Sequence, residues 1–428
     1  MTTTGAAPRA GQDGEEGREI ARLQVLSTVW SVVDHASGMQ DDIPALWARC
    51  ATEAAPTRVV RLLPAGETAP RSVDAAGVAD AADARATHPA TGEPARLPEQ
   101  ILTVTDEQSG YRFASRVISS SIAEHVGKAL MLHAGALTVA GGDRAVALVA
   151  ASGTGKTTAS RVLAQQGWGY LTDECVAVGE DLTIQPLAKP LSVVTDPAAG
   201  GHLKHQVGPD ELGMAEPGES AVLAGMVLLR RLRNEEEVAR DGGILPRLDE
   251  VDLAEALGRL APQTSALSRT PGGLARLAQV VREVGVVELV YSEIEQASGL
   301  LADWVAGQAH RPRLPADEPD VLVGGAPWDQ VLVKPGEVEA LTPSARCQRE
   351  DHSSAVLTTD GQAVVMTGSE VTQLGPLGRV LWERLAEPRA LGELQEALVE
   401  AFGEHPDAPA ITAEALASLR SQGLVRVV

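Results

Sequence analysis

The chain has 428 residues, too many for one ordinary core, which suggests two or three domains. It is 44% hydrophobic but only 3% aromatic, so its cores must be built from Ala, Val and Leu. A formal net charge of −22 repels nucleic-acid phosphates and anionic membranes and sets both aside as partners, while leaving room for a basic peptide or protein.

Met1 to Glu19 carries Gly, Ala and charge with no apolar stretch, as a disordered tail does and a signal peptide does not. From Ile20 to Leu63 the apolar residues Leu23, Val25, Leu26, Val29, Val32 and Val33 recur at helical spacing. Glu67 to Glu99 is rich in Ala, Asp, Gly and Pro and reads as loosely structured. Short strands are expected at Ile101–Val104 and Tyr111–Ser115, followed by a helix with Ile118, Ile122, Val126 and Leu130 on one face. After His133 come a strand over Ala136–Val139, a Gly-Gly turn, a second strand over Ala145–Val149 and a helix over Thr158–Gln166. A strand is expected within Gly167–Val178 and a buried one at Leu223–Leu229, then helices at Leu253–Leu260, Gly273–Val284 and Ser292–Val305. Strands alternating with helices predict an α/β nucleotide-binding domain. The proline-bearing stretch Ala309 to Ala326 suits a linker. Beyond it lie strand patterns at Gln330–Val333, Ser354–Thr358 and Gln362–Thr367. Helical patterns follow at Thr372–Leu385, Leu391–Phe402 and Ile411–Gln422, so the end of the chain reads as a small α+β module. No apolar run reaches the length of a membrane span. Cys50, Cys175 and Cys347 are far apart and lack metal-site spacing, which fits a reducing cytoplasm.

The most informative stretch runs from Ala145 to Thr158. An apolar strand enters a small-residue loop ending in Gly155-Lys156-Thr157, and a helix begins there. That is the local build of a phosphate cradle. Loop N–H groups of Ser152, Gly153, Thr154, Gly155 and Thr158 converge on phosphate oxygens, Lys156 neutralises charge, and the Thr157 hydroxyl holds Mg²⁺. The cofactors expected are therefore ATP or GTP with Mg²⁺. Ala150 stands where such loops place a glycine, which is accommodated if its φ is negative. Downstream, Asp173 and Glu174 form an acidic pair at a strand end. An acid there coordinates Mg²⁺ or takes a proton from an attacking hydroxyl, and such a pair is also at home on a plain surface. His133, just before a strand, is open to a phosphate-facing or a structural role.

Three elements in order, Leu132-His-Ala-Gly135, Ala150-Ala-Ser-Gly-Thr-Gly-Lys-Thr157 and Gly167-Trp-Gly-Tyr-Leu-Thr-Asp-Glu-Cys-Val-Ala-Val178, resemble the HPr kinase-like ATP-binding domain. The resemblance covers Ser119 to Gly307. It implies that Lys156 holds the β- and γ-phosphates, Thr157 the Mg²⁺, Asp173 the catalytic base position, Glu174 the second acid and His133 a phosphate-proximal place. Ala150 and Glu174 depart from the family pattern, and the second signature loop has no counterpart. Pro186-Leu-Ala-Lys-Pro-Leu-Ser-Val-Val194 instead resembles the shorter HPr kinase-like proteins of peptide natural-product clusters.

The segment from Asp329 to Val428 resembles the PqqD-like peptide-recognition domain, on Val371–Leu385, Leu391–Leu398 and Leu416–Leu424. The resemblance implies a winged-helix-like module of three strands and then three helices, which captures a precursor peptide as an added strand. The edge strand is expected at Gln362–Thr367, facing the helix Ile411–Gln422. Val364, Met366, Leu416, Leu419 and Arg420 are the peptide-contact candidates, with plain core the competing role for Val364, Leu416 and Leu419.

The fold expected is thus an α/β P-loop HPr kinase-like domain followed by an α+β PqqD-like domain. The divisions are a tail over 1–19, an N-terminal α+β region over 20–115 packed on the kinase-like domain of 116–307, a linker over 308–327 and the recognition module over 328–428. The function expected is biosynthesis of a ribosomally made, modified peptide in the cytoplasm. The module binds the precursor's leader, and the ATP-binding domain phosphorylates a Ser or Thr of it. The alternative is an adaptor without chemistry that delivers the precursor to a separate modifying enzyme.

Overall fold

The computed structural model describes residues 17–67, 97–151, 153–194, 204–218, 220–308, 321–331 and 345–428. The expectations for the tail, for most of Glu67 to Glu99, for most of the linker, for Ser152 and for the end of the Gln330–Val333 strand fall outside them. The protein is mixed α/β, with several sheets, and the chain divides into two compact units.

The first unit holds the described residues up to His125, with Tyr170–Asp173 and the described part of Gln185–Glu216. Its sheet has the order β1-β2-β3-β4, from β1 (Arg18–Val25), β2 (Thr28–Asp34), β3 (Arg58–Pro64) and β4 (Glu99–Val104). β1 and β2 form a hairpin that turns at Leu26, whose φ is 52°, while β3 and β4 join in parallel. The helical reading of Ile20–Leu63 is therefore corrected to strands, with one short helix, α1 (Asp42–Leu46), between β2 and β3. β2 is buried along most of its length. A strand covered on both faces shows a continuous apolar run, which spacing alone does not separate from a helix.

The reverse error occurs at Tyr111–Ser115, which belongs to α2 (Ser109–His125). Phe113, Val117 and Ser121 recur four residues apart and are buried, so helical burial overrides the strand preference of the aromatic residues. The helix stops at His125, so Val126 and Leu130 lie beyond it. α2 lies on the sheet, where the Trp30 indole N–H donates to Ser121 Oγ at 2.9 Å and Phe113 meets Trp47 edge to face at 5.6 Å between centroids.

The second unit begins with β5 (Leu130–Leu132), β6 (Ala134–Thr138), β7 (Arg144–Val149) and α3 (Lys156–Gln165). β8 (Gly169–Thr172) leads into the first unit, and β9 (Val176–Val178) returns. β10 (Ile184–Gln185) leads out again to the antiparallel pair β11 (Leu191–Val194) and β12 (Lys204–Val207). The expected strand within Gly167–Val178 is thus two, broken at Asp173-Glu174. The chain continues in the second unit with β13 (Val222–Arg231), α4 (Glu235–Asp241), β14 (Arg247–Glu250), α5 (Leu253–Leu260), β15 (Thr264–Ser265), α6 (Gly273–Val284), β16 (Val286–Tyr291) and α7 (Ser298–Gln308). Its main sheet carries the order β14-β16-β13-β7-β6, with β16, β13 and β7 parallel.

The same unit contains the C-terminal module: β17 (Val321–Gly324), β18 (Arg346–Arg349), β19 (Ser354–Leu357), β20 (Ala363–Thr367), β21 (Glu370–Leu374), α8 (Pro376–Arg384), β22 (Arg389–Ala390), α9 (Leu391–Phe402), α10 (Ala408–Ser421) and β23 (Val425–Val427). The order β17-β19-β20-β21 makes β20 an inner strand, so the edge expected at Gln362–Thr367 is corrected to β21. Sequence reading merged β21 into a helix from Thr372. The helix in fact begins at Pro376, where Gly375-Pro376 ends the strand and proline's fixed φ suits a first helical turn.

This sheet is covered on both faces. Ala355, Leu357, Ala363, Val365 and Leu374 pack with Leu381, Trp382, Leu394, Leu416 and Leu419 in the module's own core. Val356, Val364 and Met366 alternate with them and point the other way, and all three are buried. α5 packs against β20 and β21, and α6 against β19. Gln373, paired with Val364, lies against Gly258 of α5, and Gln362 donates to Asp252 at 3.2 Å. The module therefore shares an apolar interface with α5 and α6.

Val364→Asp should lower the unfolding free energy by more than about 3 kcal/mol, because it buries a carboxylate without a partner. Urea and thermal midpoints read this directly, and near-wild-type midpoints would mean that this face is wet.

Candidate functional site

The phosphate loop is built by the end of β7 and the start of α3, with Gly153 at φ 78° and Gly155 at φ 104°. A Cβ at Gly155 would meet nothing within 4 Å, so glycine is required there by backbone conformation and not by space. Ala150 is not among the described residues with positive φ, so the residue that departs from the loop pattern sits without strain. Gly155 caps α3 and offers no side-chain acceptor to the first-turn N–H groups. Those donors and the helix dipole suit an anion. Lys156 is buried, and its ammonium donates to Ala150 O at 2.6 Å, so its charge lies folded over the loop. The Thr154 hydroxyl donates to Ala151 O at 2.6 Å and braces the turn. Thr157 is half-buried and Thr158 exposed.

Register brings His133 to the same end of the sheet. β6 pairs with β7 so that Ala134 faces Val149, the last residue before the loop, and His133 immediately precedes that pair. Its backbone N–H donates to Gln263 O at 2.6 Å. Glu174 also belongs to this unit and is half-buried.

Asp173 belongs to the first unit and has its partners there. Lys189 Nζ lies 2.8 Å from Asp173 Oδ1, with both side chains 4% exposed, and the Tyr170 hydroxyl donates to the same oxygen at 3.0 Å. Lys189 supplies the opposite charge that a buried carboxylate needs. It lies in the Lys-Pro-Leu element that the sequence singled out, but a pairing between residues 16 positions apart leaves no local signal. Cys50 and Cys175 are both buried, and desolvation pushes their thiols up to about 12, with the Glu174 charge adding to the effect at Cys175. Neither is placed to act as a nucleophile at neutral pH.

Parallel pairing sets Leu228 of β13 beside Val149 and Arg231 beside Tyr291 of β16, so the C-terminal ends of three strands gather around the loop. Ligands bind at that end of open α/β sheets. A small cavity there, of about 30 Å³, is lined by Gly155, Thr158, Ala159, Arg231, Tyr291 and Glu293, among others. Burial raises the Tyr291 pKa, the Arg231 charge lowers it and the Glu293 charge raises it, so these three groups share one field. Arg231 escaped sequence reading. The available signal was a pair of arginines ending a buried strand.

In the C-terminal module an apolar groove of about 640 Å³ lies between the end of β21, the start of α8, the end of α9 and one face of α10. Leu374, Leu377, Phe402, Ile411, Ala415 and Leu419 form its apolar lining. Leu377 is 38% and Phe402 53% exposed, so large apolar side chains stand open to solvent there. Of the five peptide-contact candidates only Leu419 lines the groove. Val364 and Met366 are inner-strand residues against α5 and α6, Leu416 is core, and Arg420 is half-buried on α10 outside the lining.

No family model and no curated protein matches the chain. Among solved structures it is similar to the HPr(Ser) kinase/phosphatase from Coxiella burnetii, with 10% identity and a TM-score of 0.22 over 42% of this chain and 95% of that one. A likeness of that size decides nothing about activity, and the nucleotide reading rests on this chain's own loop. Among the described residues no group of three or more His, Cys, Asp and Glu is placed to hold a metal ion. The Thr157 hydroxyl at the head of α3 is the donor that suits Mg²⁺ bound mainly through nucleotide phosphates and water. Among the described residues no helix is long and apolar enough to cross a membrane.

Lys189→Ala should cost about 3–5 kcal/mol, because it strands the buried Asp173 charge. The double change Lys189→Met with Asp173→Leu should cost much less, and chemical denaturation of both variants checks the difference. Equal losses would deny that the pair is coupled.

Proposed function

We propose that the chain matures a ribosomally made peptide, binding the precursor in the C-terminal groove and a nucleoside triphosphate with Mg²⁺ at Gly153–Thr158. The observation that carries this reading is the apolar groove beside β21, which among the described residues has a strand on one side only, in the same compact unit as the phosphate loop. An extended peptide added to β21 gains backbone hydrogen bonds from the edge, and its apolar side chains fill the groove along α10.

The nucleotide supplies the phosphoryl group. Lys156 offsets its charge, the uncapped N–H groups of α3 orient it, Thr157 holds the metal, and His133 stands at the loop's mouth. In this reading Asp173 takes the proton of the Ser or Thr hydroxyl on the precursor. Packing of the module on α5 and α6 supports a fixed presentation of the peptide instead of a loosely tethered one.

One observation favours a second reading, an adaptor that does no chemistry and delivers the precursor to a separate modifying enzyme. Asp173 is bonded to Lys189 and Tyr170 within its own unit, as a structural carboxylate is.

The intact mass of a co-purified precursor, before and after adding MgATP, separates the two. A gain of one phosphoryl group, lost in Lys156→Ala and Asp173→Asn, supports the kinase. An unchanged mass with retained capture supports the adaptor. Ser418 is exposed and lines the groove. Ser418→Trp should fill the groove and weaken capture by tenfold or more, about 1.4 kcal/mol, in either case. Unaltered capture would remove the groove from the reading.

A further inference from the structure

Arg230 and Arg231 end β13 side by side, and strand alternation sends them to opposite faces of the sheet. Arg230 lies 3.3 Å from Asp241 and 3.8 Å from Glu288, on the side where Arg247 and Arg259 also pair with those acids. Arg231 turns to the face of α3 and lines the cavity beside Gly155, Thr158 and Ala159. Among the described residues its carboxylate partner is Glu293 at 3.4 Å, with side chains 38% and 59% exposed, and its Nε donates to Ser292 O at 3.0 Å. An ion pair that long and that open to solvent adds little stability. A guanidinium binds a phosphate through paired, charge-assisted hydrogen bonds and holds it better than a solvated carboxylate at that distance.

The place of the cavity fixes which phosphate is in reach. In a loop of this build the lysine serves the β- and γ-phosphates, and the N–H groups further along cradle the α- and β-phosphates. The cavity lies on the Thr158 side, beyond Lys156. At about 30 Å³ it has room for a water-sized group such as a phosphate oxygen and none for a purine base.

We infer that Arg231 is a nucleotide-binding residue, which exchanges Glu293 for the α-phosphate of a nucleoside di- or triphosphate. The inference rests on the nucleotide reading above and adds a residue to it. Glu293 then acts as a competitor that holds the guanidinium in place until nucleotide arrives.

Titration calorimetry on the full chain tests this with three probes, MgATP, MgADP and magnesium pyrophosphate, on wild type, Arg231→Gln, Arg231→Lys and Glu293→Gln. Arg231→Gln should bind MgATP and MgADP about tenfold more weakly and pyrophosphate within about twofold of wild type, because pyrophosphate has no α-phosphate ester. Arg231→Lys should fall between, since it keeps the charge and loses the fork. Glu293→Gln should tighten both nucleotides. The inference is overturned if Arg231→Gln keeps its MgADP affinity or loses pyrophosphate to the same degree. It is also overturned if Glu293→Gln weakens binding as Arg231→Gln does, for then the pair merely props the turn at Ser292. Wild type that binds none of the three probes would remove the nucleotide reading itself, a result distinct from all of these.

Discussion

Hydrogen bonding between β7 and β13 sets Val149 beside Leu228, and the parallel direction of that pairing is what the arrangement around the glycine-rich loop depends on. Had β13 run antiparallel to β7, Arg231 and the turn after β16 would lie at the opposite end of the sheet from the phosphate loop. With the observed direction, three strands stop together and deliver Gly155, Arg231 and Tyr291 to one small region. β6 runs the other way, so it is its beginning that lies there, and His133 comes with it. A cavity lined by three segments distant in sequence thus follows from strand direction and register.

The C-terminal module depends on a comparable constraint. A sheet with apolar residues on both faces must be covered twice, and this one has α8, α9 and α10 on one side and α5 and α6 on the other. Val364 illustrates the division, because its immediate neighbours Ala363 and Val365 belong to the module's own core while it does not. At the end of β21, beside Gln373 and Leu374, the groove opens.

Local features were the most legible in the sequence. The spans read for α5, α6 and α9, Leu253–Leu260, Gly273–Val284 and Leu391–Phe402, agree with the helices to the residue, because each has an apolar stripe at helical spacing and a clear stop. The phosphate loop was legible because its chemistry is contiguous: strand, glycines, lysine and threonine occupy 14 successive positions, from Ala145 to Thr158. The hairpin of β1 and β2 was not, because Val29, Val32 and Val33 satisfy a helical spacing as well as a buried strand, and its turn falls on Leu26 where no glycine marks it. The groove was not legible either. Leu374, Phe402 and Ile411 come from three elements, and no single stretch shows that they meet. Lys189 and Arg231 were missed for the same reason, since the partner that gives each its meaning is remote in sequence.

The double covering of the β19–β21 sheet also bears on how the chain is made. α5 and α6 leave the ribosome roughly a hundred residues before β20, so their apolar faces must wait on the order of ten seconds for the strands that bury them. During that interval the nascent protein displays an unmet apolar surface, which is the kind of surface that chaperones hold and that aggregation exploits. A fragment ending near Gln308 would carry the same surface permanently, so removing the C-terminal module leaves an α/β fold with an open flank and not a self-contained domain.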